Sequence, residues 1–194
     1  MSVLFARSDS NYYALQGTDV YDMARNALTY PGGTPVIAHP PCRAWGRLSH
    51  MASPRLGERA LAPWAVYQVR ENGGVLEHPA NSKLWRDLTL PTGKDVDLYG
   101  GYTLAVDQFW WGHKARKKTW LYVVGVPRKE LPATPLRFGR ATHTIGACAK
   151  YKSAYKRPEV THAEREHTPV AMAQWLLEVA RLTSVNSLTL NSSL

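Results

Sequence analysis

Two short apolar runs in this chain end abruptly in polar residues and prolines. Residues 36–38 lead into His39-Pro40-Pro41-Cys42, and residues 75–76 lead into Glu77-His78-Pro79. Apolar and β-branched residues favour buried strands, whereas proline cannot extend the hydrogen-bonded ladder of a strand. Each run is therefore predicted to be a buried strand that ends in a polar loop.

A helical pattern separates the two predicted strands. Between residues 54 and 72, apolar positions recur at near-helical spacing, and Asn72-Gly73-Gly74 supplies a stop signal. Two consecutive βα units favour a parallel sheet whose functional site lies at the carboxyl ends of the strands. Because such crossovers are right-handed, Cys42 and Glu77 are expected at the ends of neighbouring strands.

The remaining pattern predicts one domain over residues 1–182. The fold class expected is α/β, with a Rossmann-like, mostly parallel sheet flanked by helices and a small irregular basic lobe. The other expected elements are a strand at 3–6, a short helix at 19–28, a strand at 119–125, the irregular lobe at 127–162, a helix opened by Thr168-Pro169, and a flexible tail at 183–194.

The net charge of the chain indicates which class of partner to expect. Lysine and arginine outnumber aspartate and glutamate by 24 to 15, which gives a formal net charge of +9 in 194 residues. This excess favours a polyanionic partner, and DNA is the expected one. A free nucleotide is also considered as the substrate, and the oligomeric state is left open.

The sequence lacks the patterns typical of exported, membrane-spanning and metal-binding proteins. The chain has two cysteines, no segment typical of a signal peptide and no apolar run long enough to cross a bilayer. We therefore expect a cytoplasmic protein with no membrane partner. No CxxC or HExxH spacing is present, so no metal is expected.

Cys42 is the candidate nucleophile, because loops that follow buried strands often carry catalytic groups. Arg43 would favour the thiolate electrostatically, and the N-terminus of a following helix would do so further. The alternative for Cys42 is a buried structural cysteine beside a stiff loop.

Residues 110–118 mix aromatic and cationic side chains. This segment predicts a surface for nucleic acid, in which cations hold phosphates and aromatic rings border a base. The alternative is a solvated run of charges beside core tryptophans. The candidates in this segment are Trp110, Trp111, Lys114, Arg116, Lys117 and Lys118.

The ordered set of these motifs resembles the catalytic core of the DNA (cytosine-5) methyltransferases. Small phage-encoded relatives often show Pro-Pro-Cys, Glu-Asn-Pro and Tyr-Gly-x-x-x-x-Lys-x-Thr. Here Pro40-Pro41-Cys42, Glu77-His78-Pro79 and the variant segment 111–119 occur in that order, and Glu166-His167-Thr168-Pro169 resembles the start of the family's C-terminal helix. The resemblance covers about residues 35–180.

The resemblance implies that Cys42 adds to C6 of a cytosine while Glu77 protonates or hydrogen-bonds N3. The base would first leave the duplex stack and enter a pocket. Trp110 and Trp111 would border that base. The DNA would be held by Arg43, Arg47, Lys114, Arg116, Lys117 and Lys118.

The chain departs from the family where S-adenosylmethionine would bind. The first strand leads to Phe5-Ala6-Arg7-Ser8-Asp9 instead of a glycine-rich loop, and His78 replaces the usual asparagine. The candidates for contacting S-adenosylmethionine are Phe5, Ser8, Asp9, Asp19 and Asp22.

Three hypotheses remain open from the sequence. The chain is a compact cytosine-5 methyltransferase-like transferase with an unusual cofactor loop, or a pyrimidine-modifying enzyme that does not use S-adenosylmethionine. The third hypothesis is a non-catalytic DNA-binding protein.

Overall fold

The computed structural model describes residues 1–46, 49–146 and 157–191, with residues 184–191 described as backbone only. The strands are β1 (Ser2–Leu4), β2 (Asp19–Tyr21), β3 (Val36–Ala38), β4 (Gly74–Pro79), β5 (Tyr102–Asp107) and β6 (Lys118–Val124). The α-helices are α1 (Glu58–Asn72), α2 (Lys83–Asp87), α3 (His162–Glu166) and α4 (Val170–Asn191).

These strands form one mixed sheet in the order β2-β1-β3-β4-β6-β5. The pairs β1–β2, β1–β3 and β3–β4 are parallel, whereas β6 is antiparallel to both β4 and β5. The predicted α/β class is confirmed, but the sheet is mixed. Parallel strands need a crossover of a dozen or more residues, and the segment between β5 and β6 is too short for one.

Side chains alternate along the strands and build two cores. Val3, Ile37 and Val75 face α4, whereas Leu4, Ala38 and Leu76 face α1 and α2. Burial on both faces explains why these strands are continuously apolar. The same alternation determines which polar residues share a face where the strands end.

Three segments differ from the sequence prediction. Residues 19–28 contain β2 and a short 3₁₀ turn at Ala27–Thr29 instead of a helix, because residues 19–21 pair with β1. β5 was not predicted from the sequence. The segment 183–191, expected as part of a flexible tail, continues α4, and residues 192–194 lie outside the described residues.

Other predicted elements are confirmed. The helix expected to end at residue 72 is α1, and the strands expected near residues 3–6, 36–38 and 119–125 are β1, β3 and β6. In its described part the predicted lobe at 127–162 is irregular, apart from one 3₁₀ turn at Arg128–Glu130 and isolated bridges.

Gly74 allows β3 and β4 to pair closely. Its φ is +113°, and a Cβ atom at this position would lie 2.1 Å from the Val36 carbonyl oxygen. Both the positive φ and the close approach of the Val36 backbone therefore require glycine at this position.

We predict that Gly74→Ala lowers the free energy of unfolding by about 3 kcal/mol or more, because the backbone of β3 cannot move aside without loss of pairing. Gly93→Ala is the matched control, since Gly93 also has a positive φ of +62° but no atom within 4 Å of the added Cβ. The control should lose only about 1–2 kcal/mol. Chemical denaturation measures both, and equal losses would show that the contact with Val36 is unimportant.

Candidate active site

The candidate catalytic residues lie at one edge of the sheet. The carboxyl ends of β1, β3, β4 and β5 meet there with the amino end of β6, because β6 runs antiparallel to its neighbours. β1 lies where the chain order reverses, between β2 and β3, and crevices at such reversals commonly bind ligands in α/β sheets. Glu77 lies in β4 near its carboxyl end, and Cys42 lies on the loop that follows the neighbouring parallel strand β3, as predicted.

Strand register places His39 beside Glu77. Ile37 is paired with Val75, and both face α4, so two residues further along each strand His39 and Glu77 also share that face. His39 Nδ1 lies 3.2 Å from Glu77 Oε2, and the two side chains are only 13% and 12% exposed. The second ring nitrogen, His39 Nε2, lies 3.1 Å from the hydroxyl of the buried Tyr12.

Gln108 holds the other oxygen of the Glu77 carboxylate. Its Nε2 donates to Glu77 Oε1 at 2.9 Å and to Thr119 Oγ1 at 3.1 Å. The Thr119 hydroxyl itself donates to a backbone carbonyl, so it can only accept from Gln108. The amide nitrogen is therefore directed at both acceptors, and Gln108 Oε1 has no hydrogen-bond partner among the described residues.

These contacts keep Glu77 ionised. Burial acts to raise the pKa of Glu77, but the hydrogen bond from His39 and the charge of Lys117 outweigh it and lower this pKa to about 2. Glu77 by itself is thus a poor proton donor near neutral pH.

Lys117 lies inside the site. Its Nζ donates to the His167 carbonyl oxygen at 3.2 Å, at the junction before α4. Burial lowers the pKa of Lys117, while the negative charges of Glu77 and Cys42 act to raise it. The expectation that Lys117 holds a DNA phosphate is therefore corrected, because side-chain alternation along β6 directs Lys117 inward and Lys118 outward.

The Cys42 loop is anchored by a buried tryptophan. The Cys42 carbonyl oxygen accepts from the backbone N–H groups of Trp45 and Gly46, which closes a turn. Trp45 is buried, and its Nε1 donates to the Arg59 carbonyl oxygen of α1 at 3.1 Å. Cys42 itself is a free thiol that reaches solvent, so the alternative of a buried structural cysteine is excluded.

The electrostatics of Cys42 differ from the prediction. Protein atoms on its inner side partly desolvate the thiol, and this effect together with Glu77 raises the pKa of Cys42, whereas Lys117 lowers it. Arg43 does not favour the thiolate, because its Nε lies 2.8 Å from Glu58 Oε1. No helix begins directly after Cys42 either, since a turn follows it.

His78 points to the opposite face of β4. It packs against Trp85 and is fully buried. Burial lowers the pKa of His78 to about 4, so the imidazole is neutral at physiological pH. His78 is thus a packing residue separated from Glu77 by the strand.

Most other predicted DNA-binding residues are partnered within the protein. Trp111 is a core residue against Trp175, and Trp110 packs partly buried beside it. Lys114 pairs with Glu164, and Arg116 pairs with Asp107 at 3.3 Å. Trp111 therefore does not border a base. Of the others, Lys118 is exposed, whereas Arg47, like the second cysteine Cys148, lies outside the described residues.

The S-adenosylmethionine candidates do not gather into one site. Asp19 begins β2 and so lies at the opposite edge of the sheet, where it pairs with Arg25. Asp9 is held by Arg7 and His167, and the Phe5 ring packs edge-on against Trp64. Asp22 ends β2 at the correct edge but accepts from Tyr13 and two backbone N–H groups, and Ser8 is exposed in a turn.

The described residues therefore do not fit this cofactor well. Residues 5–10, which directly follow β1, include no glycine that would let a ligand approach the backbone, and the charged groups among them are already paired. No step of the reaction is assigned to S-adenosylmethionine.

Sequence reasoning missed Tyr12, His39 and Gln108. The signal for His39 was present in the sequence, because His39 directly follows the apolar run 36–38, just as Glu77 directly follows residues 75–76. Tyr12 and Gln108 lie far from both motifs in sequence, and only the folded chain brings them to Glu77.

No family model, curated protein or solved structure is significantly similar to the chain. Within the residues that the structure describes, no helix is long and apolar enough to cross a membrane. Over the same ranges, no group of three or more histidine, cysteine, aspartate or glutamate side chains is arranged to hold a metal ion.

We predict that the alkylation of Cys42 by iodoacetamide depends on its two charged neighbours in opposite ways. In a Cys148→Ser background, Glu77→Gln should move the pH profile of Cys42 alkylation to lower pH, because a negative charge that disfavours the thiolate is removed. Lys117→Met should move it to higher pH. Mass spectrometry of the Cys42 peptide measures the profile.

Arg43→Ala is the matched control, since Arg43 is paired with Glu58, and the profile should not move. A shift caused by Arg43→Ala, or none from the other two variants, would contradict this account of the Cys42 environment.

Proposed function

We propose that the protein is a cytosine-5 DNA methyltransferase-like enzyme that activates a pyrimidine by adding Cys42 to C6. The observation that carries the proposal is the placement of an exposed cysteine and a buried carboxylate near the carboxyl ends of adjacent parallel strands, where the charge of Glu77 acts to raise the pKa of Cys42. The reversal of strand order beside β3 also favours a Rossmann-like arrangement for this site.

The addition step uses only groups in the chain. The Cys42 thiolate forms a bond to C6, the C5=C6 electron pair moves into the ring, and N3 takes up a proton. C5 then has enamine character and reacts with an electrophile. If that electrophile is a proton, loss of the original C5 hydrogen and expulsion of the thiolate return the base unchanged except for an exchanged hydrogen.

An ionised Glu77 favours cytosine over uracil. Cytosine protonated at N3 presents two adjacent donors, N3–H and the C4 amino group, which match the two oxygens of a carboxylate. Uracil presents an oxygen at C4, which would face the carboxylate unfavourably. Each Glu77 oxygen already accepts one hydrogen bond and retains a lone pair for the base.

A second candidate function is a pyrimidine modification at C5 that does not use S-adenosylmethionine. The scattered placement of Phe5, Asp9 and Asp19 favours this alternative. The two candidates share the Cys42 addition and differ only in the electrophile that reaches C5. Transfer of a radiolabelled methyl group from S-adenosylmethionine to DNA would decide for the first candidate.

DNA is the partner that we propose, on the basis of charge and exposed aromatic surface near the same edge. Phe138 is 87% exposed between Arg137 and Arg140, and the segment is held by a hydrogen bond of 2.8 Å from Arg116 to the Gly139 carbonyl oxygen. An exposed aromatic ring flanked by arginines suits base stacking and phosphate contacts. Lys118 is exposed at the start of β6.

We predict that the enzyme exchanges the C5 hydrogen of deoxycytidine without any cofactor. A duplex DNA pool of degenerate sequence is incubated with the protein in D₂O, digested to nucleosides and analysed by mass spectrometry. Deoxycytidine should gain one mass unit, whereas thymidine should not. Cys42→Ser should abolish exchange, because a hydroxyl is a much weaker nucleophile, and Glu77→Gln should slow it by about 10²–10⁴-fold.

Cys148→Ser is the control and should exchange at the full rate. If the Cys42→Ser variant still exchanges the hydrogen, Cys42 is not the nucleophile and the proposal is wrong. If neither exchange nor methyl transfer occurs with free or duplex cytosine, the non-catalytic DNA-binding hypothesis is favoured instead.

We also predict that DNA binding weakens steeply with salt through the segment 137–140. Replacing Arg137 and Arg140 by alanine should lower the affinity and reduce the salt slope by about 0.9 for each phosphate contact that is lost. Phe138→Ala should lower affinity with little change in slope. Fluorescence anisotropy at several salt concentrations measures both quantities.

The matched control is the double variant Lys94→Ala, Lys129→Ala, which removes the same charge from exposed positions outside the active edge. If the control weakens binding as much as the arginine variant, the charge effect is non-specific and the assignment of segment 137–140 is wrong.

A further inference from the structure

A buried hydrogen-bonded chain leads from Tyr12 through His39 to Glu77. The Tyr12 hydroxyl lies 3.1 Å from His39 Nε2, and His39 Nδ1 lies 3.2 Å from Glu77 Oε2. Tyr12 is fully buried, and the other two side chains are nearly so. Both ring nitrogens of His39 are thus within hydrogen-bonding distance of side-chain oxygens.

The hydrogen bonds between Tyr12, His39 and Glu77 suggest a source for the proton that the addition step requires. N3 of the base must receive a proton, yet the contacts of Glu77 keep its carboxylate ionised. A carboxylate that carries no proton cannot act as the acid alone. The ring of His39 is in direct contact with this carboxylate, and an imidazole can both accept and release a proton.

We propose that the acid of the reaction is the His39–Glu77 pair, in which His39 stores the proton that Glu77 delivers and Tyr12 serves both protonation states of the imidazole. This inference rests on the proposed function. His39 acts through Glu77, and it is therefore a positioning residue that also supplies the proton.

The charges balance through the step. Before addition, Cys42 is a thiolate, His39 is an imidazolium and Glu77 is a carboxylate. As the bond from sulfur to C6 forms, the proton of the pair passes to N3, which leaves His39 neutral and Glu77 ionised against N3–H. Elimination of the thiolate returns the proton to the pair.

Tyr12 suits both states because its hydroxyl can donate or accept. With neutral His39, the imidazole donates from Nδ1 to Glu77, and Tyr12 donates to Nε2. With the imidazolium, Nε2–H donates to the Tyr12 oxygen instead. A phenylalanine would offer the imidazolium no acceptor in a buried position, and this would disfavour the protonated form.

Other described titratable groups also act on the pair. His78 of β4 acts to lower the pKa of Glu77. Lys117, which precedes β6, acts on the Glu77 carboxylate, and Cys42 lies on the loop after β3. Glu166 at the end of α3 acts on both Cys42 and Lys117. The pH dependence of exchange therefore contains at least the Cys42 ionisation, and the His39 contribution must be isolated by substitution.

The test is the pH profile of C5 hydrogen exchange. The wild-type profile should be bell-shaped, rising as Cys42 ionises and falling as the pair loses its proton. His39→Gln can still hydrogen-bond to Tyr12 and Glu77 but cannot carry the proton. It should lower the rate about 10²-fold and abolish the falling limb. Tyr12→Phe should move the falling limb to lower pH.

Tyr102→Phe is the matched control for Tyr12→Phe. Tyr102 is also a buried tyrosine, but its hydroxyl donates to the Val126 carbonyl oxygen and lies outside the site. This variant should keep the wild-type profile. Thermal denaturation shows which variants fold, and Tyr12→Phe, which keeps the ring, tests the inference if His39→Gln does not fold.

The outcomes separate this inference from the proposed function. If wild-type protein exchanges the hydrogen, and both variants give a bell of unchanged shape and lower height, His39 is merely structural and the inference is overturned. If wild-type protein gives no exchange while Cys42→Ser also gives none, the proposed function has failed before His39 is tested.

Discussion

The burial of the Glu77 carboxylate is the constraint on which the candidate site depends. A charged group removed from water is costly unless it is hydrogen-bonded and paired, and here His39, Gln108 and Lys117 meet that requirement. Each of these three partners comes from a different segment of the chain. The position of Glu77 therefore ties the loop after β3, the end of β5 and the start of β6 to one point.

The reversed direction of β6 makes this convergence possible. In a wholly parallel sheet, the amino end of a strand would lie at the far edge, and Lys117 could not reach Glu77. Because β6 runs antiparallel between β4 and β5, its first residues join the carboxyl ends of the other strands. The antiparallel pairing thus supplies a cation to a site that the parallel strands provide with a thiol and a carboxylate.

The charged groups of the site act on one another's ionisation in opposite directions. Lys117 favours the ionised forms of both Cys42 and Glu77, whereas the charge of Glu77 disfavours the Cys42 thiolate. Under the proposed function, a base that carries a proton on N3 would relieve this repulsion once the thiolate forms, and the site would bind that protonated base more tightly than the neutral one.

The sequence by itself determined the strands around Cys42 and Glu77, the helix between them and their placement on neighbouring strands. These features follow from local rules, since apolar runs, prolines and helical spacing act over a few residues. Sequence reasoning was less successful at β2 and β5. β2 is three residues long and owes its conformation to pairing with β1, and the loop-rich sequence before β5 obscured a strand that pairs only with β6.

Only the tertiary structure decided the role of each charged side chain. The four cationic residues between positions 114 and 118 were grouped as a DNA surface, yet Lys117 faces the buried carboxylate and Lys118 faces solvent. Likewise Arg43, adjacent to Cys42 in sequence, pairs with Glu58 of α1. Electrostatic partners are set by distance in space, and the nearest opposite charge in a folded chain commonly comes from a remote segment. For that reason the sequence identified the candidate nucleophile and the carboxylate, and the fold identified the groups that shift their pKa values.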